Sequence, residues 1–210
     1  MAIEFPESKA TACCFAENEL VVGFSDGMLR VWDVRGQRWS ETIDRHQQAI
    51  TSLTYHRKGE VTSASRDGSV CVWDVRGKEE RASVRFEKPI TVCTYVPNGR
   101  MLLLAFEGDN AFFYKMENGA RSPSFEGFPQ GEKGPAFDFL TDTREHQSKR
   151  FVACAATEGG VAVWSVETMT VASRFGSGEV TALSCHPERM CFVVGGASDP
   201  TIRLWESVDC

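Results

Sequence analysis

The residues of this chain that could most readily do chemistry are four histidines and one serine-centred motif. His46, His56, His146 and His186 are far apart in the sequence and lack the spacing of metal ligands. Residues 23–27 read Gly-Phe-Ser-Asp-Gly and match the G-x-S-x-G motif of hydrolases, in which the serine sits on a strand-to-helix turn. Here the stretch joins two predicted strands, so we interpret it as a hairpin turn.

Other catalytic and metal-binding motifs are missing from the sequence. There is no G-x-x-x-x-G-K-[ST], no G-x-G-x-x-G and no H-E-x-x-H. The eight cysteines include no Cys-x-x-Cys pair and mostly lie in apolar runs, which predicts reduced, buried thiols in an intracellular protein. We therefore expect no enzymatic activity, no cofactor and no bound metal.

Composition and charge restrict the class of protein and of partner. Of the 210 residues, 42% are hydrophobic and 25% are charged, as in ordinary globular domains. The formal net charge of −6 disfavours nucleic acid and anionic membranes as partners. Since the chain has neither a membrane-length apolar run nor a signal-peptide pattern at its start, we expect an intracellular protein, cytoplasmic or nuclear or both.

An internal repeat organises the chain and determines where the histidines and the serine-centred motif lie. The hexapeptide Val-Trp-Asp-Val-Arg-Gly occurs at residues 31–36 and again at residues 72–77, a period of 41. Continuing the repeat along the chain gives five aromatic residues at equivalent places: Trp32, Trp73, Tyr114, Trp164 and Trp205. The longer third interval places extra residues in two predicted solvated loops, 117–134 and 141–150. The chain therefore carries five repeats.

The second repeat shows the predicted elements best. Residues 50–56, 60–64, 69–75 and 81–86 each have the pattern of a strand, and Arg66-Asp67-Gly68 is typical of a tight turn. The second strands of the repeats are nearly continuous apolar runs, which indicates sheets covered on both faces. Four-stranded sheets arranged around an axis satisfy this pattern, and a period near 41 is that of one propeller blade.

The Trp-Asp ending, the Asp-Gly turn before it and a histidine upstream resemble the WD-repeat β-propeller family, over residues 2–208. The resemblance implies an all-β fold: a β-propeller of four-stranded antiparallel blades, in one domain spanning residues 1–210. In the second blade it implies a buried hydrogen-bond chain of His46, Ser65, Asp67 and Trp73. The other blades depart from this pattern; the first, for example, has Phe24 where the serine belongs.

Ring closure is a further expectation from the resemblance. Propellers of this family commonly pair an N-terminal strand with the last blade, and residues 2–5 could form that strand beside a third strand predicted at residues 201–207. Because the family usually has seven blades, a closed five-bladed ring and an incomplete seven-bladed ring both stay open as interpretations.

The resemblance implies a non-catalytic scaffold that binds other proteins in an intracellular complex. One alternative is a substrate-receptor subunit of a cullin-RING ubiquitin ligase, because the two Trp-Asp-x-Arg endings resemble adaptor-binding motifs and would make Arg35 and Arg76 the contact residues. A second alternative is an RNA-associated propeller, with two candidate basic clusters: Arg30, Arg35, Arg38 and Trp39, or Arg144, Lys149 and Arg150.

Overall fold

The structure, a computed structural model, describes residues 8–56, 59–96, 101–125, 128, 136–142, 149–156, 159–176, 178–186, 191–196 and 201–206. Within these ranges the chain forms β-strands arranged in five antiparallel sheets. Among the residues described, no helix is long and apolar enough to span a membrane. The chain divides into two compact units, residues 1–122 and residues 123–210.

The first unit contains two complete four-stranded sheets and most of a third. The first sheet consists of β1 (Ala10–Ala16), β2 (Glu19–Phe24), β3 (Met28–Asp33) and β4 (Arg38–Asp44). The second consists of β5 (Ile50–His56), β6 (Glu60–Ser65), β7 (Ser69–Asp74) and β8 (Glu79–Arg85). The third consists of β9 (Ile90–Tyr95), β10 (Leu102–Phe106), β11 (Asp109–Tyr114) and β12 (Arg121–Ser124).

The second unit contains the other two sheets. The fourth sheet consists of β13 (Phe137–Asp142), β14 (Lys149–Ala155), β15 (Val161–Ser165) and β16 (Val171–Phe175). The fifth has three strands in the described part of the chain: β17 (Ala182–Cys185), β18 (Cys191–Gly195) and β19 (Ile202–Glu206). In every sheet, strands that follow one another along the chain are neighbours.

Apolar side chains fill the spaces between the sheets of the first unit. One cluster joins the first and second sheets through Leu29, Val31, Ile50 and Val61, all of them buried. A similar cluster joins the second and third sheets. Every residue of β10 is buried, so its unbroken apolar sequence reflects a strand covered on both faces, as predicted.

The predicted all-β architecture of four-stranded antiparallel sheets is confirmed. The third strand of each sheet carries the repeated aromatic residue: Trp32, Trp73, Tyr114, Trp164 and Trp205. The Asp-Gly turns are also present, since Gly27 and Gly68 have φ angles of 89° and 83°, a region that glycine adopts without strain. A Cβ atom on either glycine would collide with a backbone carbonyl oxygen.

The two predicted solvated loops are partly wrong. Residues 117–134 include the edge strand β12, and they also include Phe125 and Phe128, which are buried. The β12 sequence Arg-Ser-Pro-Ser has no apolar alternation that could indicate a strand, so only its pairing in the sheet defines it. The second loop is shorter than predicted, because β13 and β14 pair as far as Asp142 and Lys149.

Several predictions fall on residues outside the described ranges. These include the N-terminal strand at residues 2–5 and the loop residues His146 and Arg144. Ring closure, the number of blades in a complete ring and the assignment of residues 1–210 to one domain therefore stay predictions.

Candidate interaction surface

A buried polar network in the second sheet holds the turns at one end of this sheet. His46, which lies just before β5, is only 2% exposed. Its Nε2 atom lies 2.7 Å from Ser63 Oγ and its Nδ1 atom lies 2.7 Å from Ser69 Oγ. The indole N–H of Trp73 donates to the same Ser63 oxygen at 3.0 Å. The imidazole therefore links the segment before β5 to β6 and β7 through hydrogen bonds.

Asp67 anchors the outer end of this network. The Gln47 and Ser69 backbone amides donate to its carboxylate, each at 2.8 Å, and the Ser69 hydroxyl donates to it as well. The Asp67 side chain is 2% exposed, and its Oδ1 lies 3.8 Å from His46 Nδ1. Ser69 thus stands between the histidine and the carboxylate.

The structure places three of the four predicted residues in this network and corrects the fourth. Ser65 does not lie between His46 and Trp73; Ser63 does. Trp73 pairs with Val61 across the sheet, and its indole reaches the next residue on that face, Ser63, whereas Ser65 lies a further two residues along β6. The Ser65 hydroxyl instead donates to Gln48 O at 2.9 Å and accepts from the Asp67 amide at 3.1 Å.

Burial and hydrogen bonding shift the pKa values of both ionisable groups. Burial lowers the pKa of His46 below its ordinary value, and the nearby Arg45 adds to this shift, while Asp67 partly offsets it. Burial alone would raise the pKa of Asp67, but the bonds from Gln47 and Ser69 outweigh it and hold that pKa below its usual value. The network therefore contains a neutral imidazole and an ionised carboxylate at neutral pH.

At the opposite end of the strands, two aspartates fix the turns that carry the predicted contact arginines. Asp33 Oδ1 accepts hydrogen bonds from the amides of Arg35 and Gly36, both at 3.0 Å. Asp74 Oδ1 accepts bonds from the amides of Arg76 and Gly77, at 3.0 and 2.8 Å. The identical hexapeptides thus form the same Asx turn in both sheets.

The side chains of the two arginines differ in their partners. Arg76 forms an ion pair with Glu17 of the β1–β2 turn, with Nε 3.1 Å from the Glu17 carboxylate. Within the described residues, the Arg35 guanidinium has no ionic or hydrogen-bonding partner. Both side chains are exposed, so the structure brings the two predicted contact residues to the same end of neighbouring sheets.

Three exposed apolar side chains lie at the same end of these two sheets. Phe15 is 65% exposed, Val34 is 45% exposed and Tyr55 is 36% exposed. The Val34 amide bonds to Asn18 O at 3.1 Å, and the Tyr55 hydroxyl lies 3.5 Å from a Glu17 carboxylate oxygen, so the β1–β2 turn joins the set. We call this set the turn surface, and its members are Phe15, Glu17, Val34, Arg35, Tyr55 and Arg76.

The sequence identified the arginines of the turn surface but missed its apolar members and Glu17. Phe15 and Tyr55 lie in strands, where a large apolar residue normally predicts burial, so their exposure has no signature in the sequence. Glu17 has a φ of 58°, as the two-residue turn between β1 and β2 requires, and its carboxylate pairs with Arg76.

Two residues of the first predicted RNA-binding cluster make contacts with aromatic rings of the first sheet. The Arg30 guanidinium lies 4.7 Å from the centre of the Phe24 ring. Trp39 packs edge-to-face against Trp32, with ring centres 5.0 Å apart. The side chains of Arg144, Lys149 and Arg150 lie outside the described part of the chain.

Reactive groups in the described residues are few. No three His, Cys, Asp or Glu side chains of the described ranges are arranged to hold a metal ion. The seven cysteines described are free thiols, and burial raises the pKa of Cys71 to about 12 and that of Cys93 still further. These two thiols are therefore protonated at neutral pH and are poor nucleophiles.

Two family models match separate parts of the chain. Residues 4–102 match the model described as the Vps42 beta-propeller, and residues 169–206 match the model described as the WD domain, G-beta repeat. No curated protein sequence matches the chain.

Solved structures resemble the whole chain. The β-propeller domain of Cps50 (Swd1) from Myceliophteria thermophila superimposes with a TM-score of 0.74 and 19% identity over 95% of this chain. A chain of the mitotic checkpoint complex superimposes with a TM-score of 0.77 and 16% identity over 98% of this chain. The chain spans 65% and 63% of the length of these two proteins, and identities this low show a common fold alone.

Proposed function

We propose that this chain, parts of which match β-propeller and WD-repeat family models, is a non-catalytic scaffold that binds another protein through the turn surface. The observation that carries this proposal is that exposed Phe15, Val34 and Tyr55 and two exposed arginines lie at one end of the first and second sheets. Aromatic side chains and arginine are the residues most enriched where protein interfaces concentrate their binding energy.

The rigidity of the turn surface also supports this role. Asp33 and Asp74 fix the two turns from within, and the ion pair between Arg76 and Glu17 links neighbouring sheets. A surface that is already ordered loses little conformational entropy when a partner binds. One structural neighbour is part of the mitotic checkpoint complex, which is consistent with a fold used inside protein assemblies. We place the protein inside the cell, in the cytoplasm, the nucleus or both.

Affinity purification with quantitative mass spectrometry tests the proposal. The bait is the full chain, compared with the double variant Phe15→Ser/Val34→Ser. Ile202→Ser is the matched control, because Ile202 is an apolar residue that is 79% exposed on a different sheet. We expect at least one partner to fall about fivefold or more with the double variant and to be retained by the control. Equal recovery of every partner by all three baits would refute the turn surface.

The turn surface also supports a second candidate, a substrate receptor that binds a ubiquitin-ligase adaptor. Both Trp-Asp-x-Arg endings present an exposed guanidinium at the same end of neighbouring sheets, and a planar guanidinium suits bidentate pairing with an acidic partner. Because Glu17 already binds Arg76, Arg35 would be the principal contact.

Co-precipitation of the adaptor distinguishes this candidate from a scaffold of another kind. The experiment compares the wild type with Arg35→Ala and with Arg35→Ala/Arg76→Ala. Loss of the adaptor in variants that melt like the wild type supports the receptor role. Absence of the adaptor from the wild-type sample, or equal amounts in all samples, rejects it and leaves the general scaffold proposal standing.

A further inference from the structure

A groove between the second and third sheets of the first unit has an aromatic floor. Phe86, which follows β8, lies 5.3 Å from Phe106 and 6.1 Å from Phe112, measured between ring centres. Phe106 and Phe112 stack at 5.1 Å. The groove has a volume of about 370 Å³, near the lower end of the range for ligand-binding pockets. This floor offers apolar contact area for one or two side chains of a ligand.

The guanidinium of Arg121, in β12, lies over two rings of this floor. Its central carbon is 5.1 Å from the centre of Phe86 and 5.1 Å from the centre of Phe112. A cation–π contact of this kind needs no hydrogen bond from the guanidinium, so its N–H groups can still pair with a ligand. Within the described residues no carboxylate pairs with Arg121.

The remaining charges around the groove leave a small positive excess. Lys88 is neutralised by Asp109, with Nζ 2.9 Å from the carboxylate. Arg85 also lines the groove and has no ionic partner in the described part of the chain, while Glu87 is the one carboxylate left to offset it. In a chain with a net charge of −6, the groove thus presents two unpaired guanidinium groups, Arg85 and Arg121, against one carboxylate.

We propose that this groove binds an acidic peptide segment of a partner protein, with a carboxylate paired to Arg121 and Arg85 and an adjacent apolar side chain on Phe86 and Phe112. Arginine forks recognise carboxylates bidentately, and a single negative charge matches the local excess, whereas a doubly charged phosphate would exceed this excess and be repelled by Glu87. This site is separate from the turn surface and does not depend on it.

The peptide is recognised through its side chains rather than by strand addition. β12 is the edge strand of the third sheet, but it is only four residues long and contains Pro123, which has no N–H to donate. Short edges that carry proline are poor templates for an added strand. The specificity of the groove therefore comes from charge and aromatic contact.

Peptide selection followed by binding measurements tests the proposal. A random peptide library displayed on phage is selected against the full chain, and the best sequence is synthesised with a fluorescein label. Two matched probes replace its acidic residue with Gln or with phosphoserine. We expect the selected peptides to carry Asp or Glu beside an apolar residue. We also expect the Gln probe to bind about tenfold more weakly, and the phosphoserine probe no more tightly than the acidic one.

Variants of the chain localise the binding. Arg121→Ala and Arg85→Ala should each weaken the acidic probe at least about fivefold, whereas Arg35→Ala removes an exposed arginine elsewhere and should change little. Arg121→Lys should bind weakly because it keeps the charge but loses the planar fork. Since Arg121→Ala could loosen the aromatic floor, Arg85→Ala, which is not stacked on those rings, is the decisive variant.

Three results would overturn the proposal. They are unchanged affinity in Arg85→Ala, selected peptides without acidic residues, and tighter binding of the phosphoserine probe. The double variant Phe15→Ser/Val34→Ser should bind the acidic probe like the wild type, so failure of the turn surface and failure of the groove give different results.

Discussion

The first and second sheets carry the same six residues where the third strand leads into the next turn, yet different interactions stabilise their interiors. In both, an aspartate after the tryptophan accepts the next two amides and forms the same turn. In the second sheet Ser63 accepts from the Trp73 indole, whereas the residue 41 positions before Ser63 is Val22, which has no acceptor. Trp32 of the first sheet packs against Trp39 instead.

The same contrast holds at the other end of the strands. Asp67 accepts three hydrogen bonds in a buried setting, whereas Asp26 accepts one, from the Met28 amide at 3.0 Å, on the exposed surface. Met28 occupies the place of Ser69 in the repeat and has no hydroxyl to extend the network. An identical repeat motif therefore determines the turn and the strand order, while a few non-identical residues decide whether the sheet has a polar or an apolar interior.

The largest expected effect is the difference between Asp67→Ala and Asp26→Ala. Asp67→Ala leaves the Gln47 amide and the Ser69 amide and hydroxyl without their acceptor, and should lower the free energy of unfolding by about 3 kcal/mol. Asp26→Ala should cost about 0.5 kcal/mol. Urea denaturation of the two variants measures both values. Equal losses would show that the network adds no stability to the second sheet.

Next in size is the effect of Ser63→Ala, which removes the oxygen shared by His46 and Trp73. The His46 Nε2 atom and the Trp73 indole N–H are buried and lose their partner in this variant, so we expect the free energy of unfolding to fall by about 2 kcal/mol. Ser40→Ala in the first sheet is the matched control, because its hydroxyl makes one bond, to Val31 O at 3.2 Å, and should cost about 0.5 kcal/mol. Melting curves of both variants provide the comparison. If Ser40→Ala were as unstable as Ser63→Ala, the shared Ser63 oxygen would have no special role in the stability of the second sheet.

A smaller effect is expected from pH, and it belongs to the second sheet. The pKa of His46 is lowered by folding, so the unfolded chain takes up a proton first when the pH falls through 6.5, the ordinary value. The contribution of His46 to the free energy of unfolding should have its full value above this pH and should decline below it, by at most about 1.4 kcal/mol per pH unit. The first sheet has no histidine.

His46→Asn provides the control for this pH dependence. The variant should be less stable than the wild type at pH 7.5, but its stability should change less between pH 7.5 and pH 5.5. Denaturation at the two pH values measures the difference. An unchanged slope in the variant would assign the pH dependence to other groups.

The smallest effect is expected at the arginines of the two identical endings. The ion pair between Arg76 and Glu17 is solvent-exposed, and pairs of this kind contribute little to stability. Arg76→Ala and Arg35→Ala should both melt within experimental error of the wild type, at low and at high salt. A salt-dependent loss confined to Arg76→Ala would show that this pair stabilises the first unit.

The period of the sequence predicted the fold well because each repeat forms one sheet, and the repeated aromatic residue lies in the third strand of that sheet. The site was predicted less well for geometric reasons. Ser63 and Ser65 project from the same face of β6, and only their distance from Trp73 decides which one binds the indole. β12 has no apolar pattern, and the exposure of Phe15 depends on which neighbouring sheet covers β1.

Site-specific photo-cross-linking at Val34 tests the central claim, that the turn surface binds a partner protein, most directly. A photoreactive amino acid is placed at position 34 in cells, and at position 202 as the control, since both side chains are exposed. The account predicts a discrete cross-linked species from position 34 that Arg35→Ala or Phe15→Ser weakens and that position 202 does not give. No cross-link from position 34, or the same species from both positions, would contradict it.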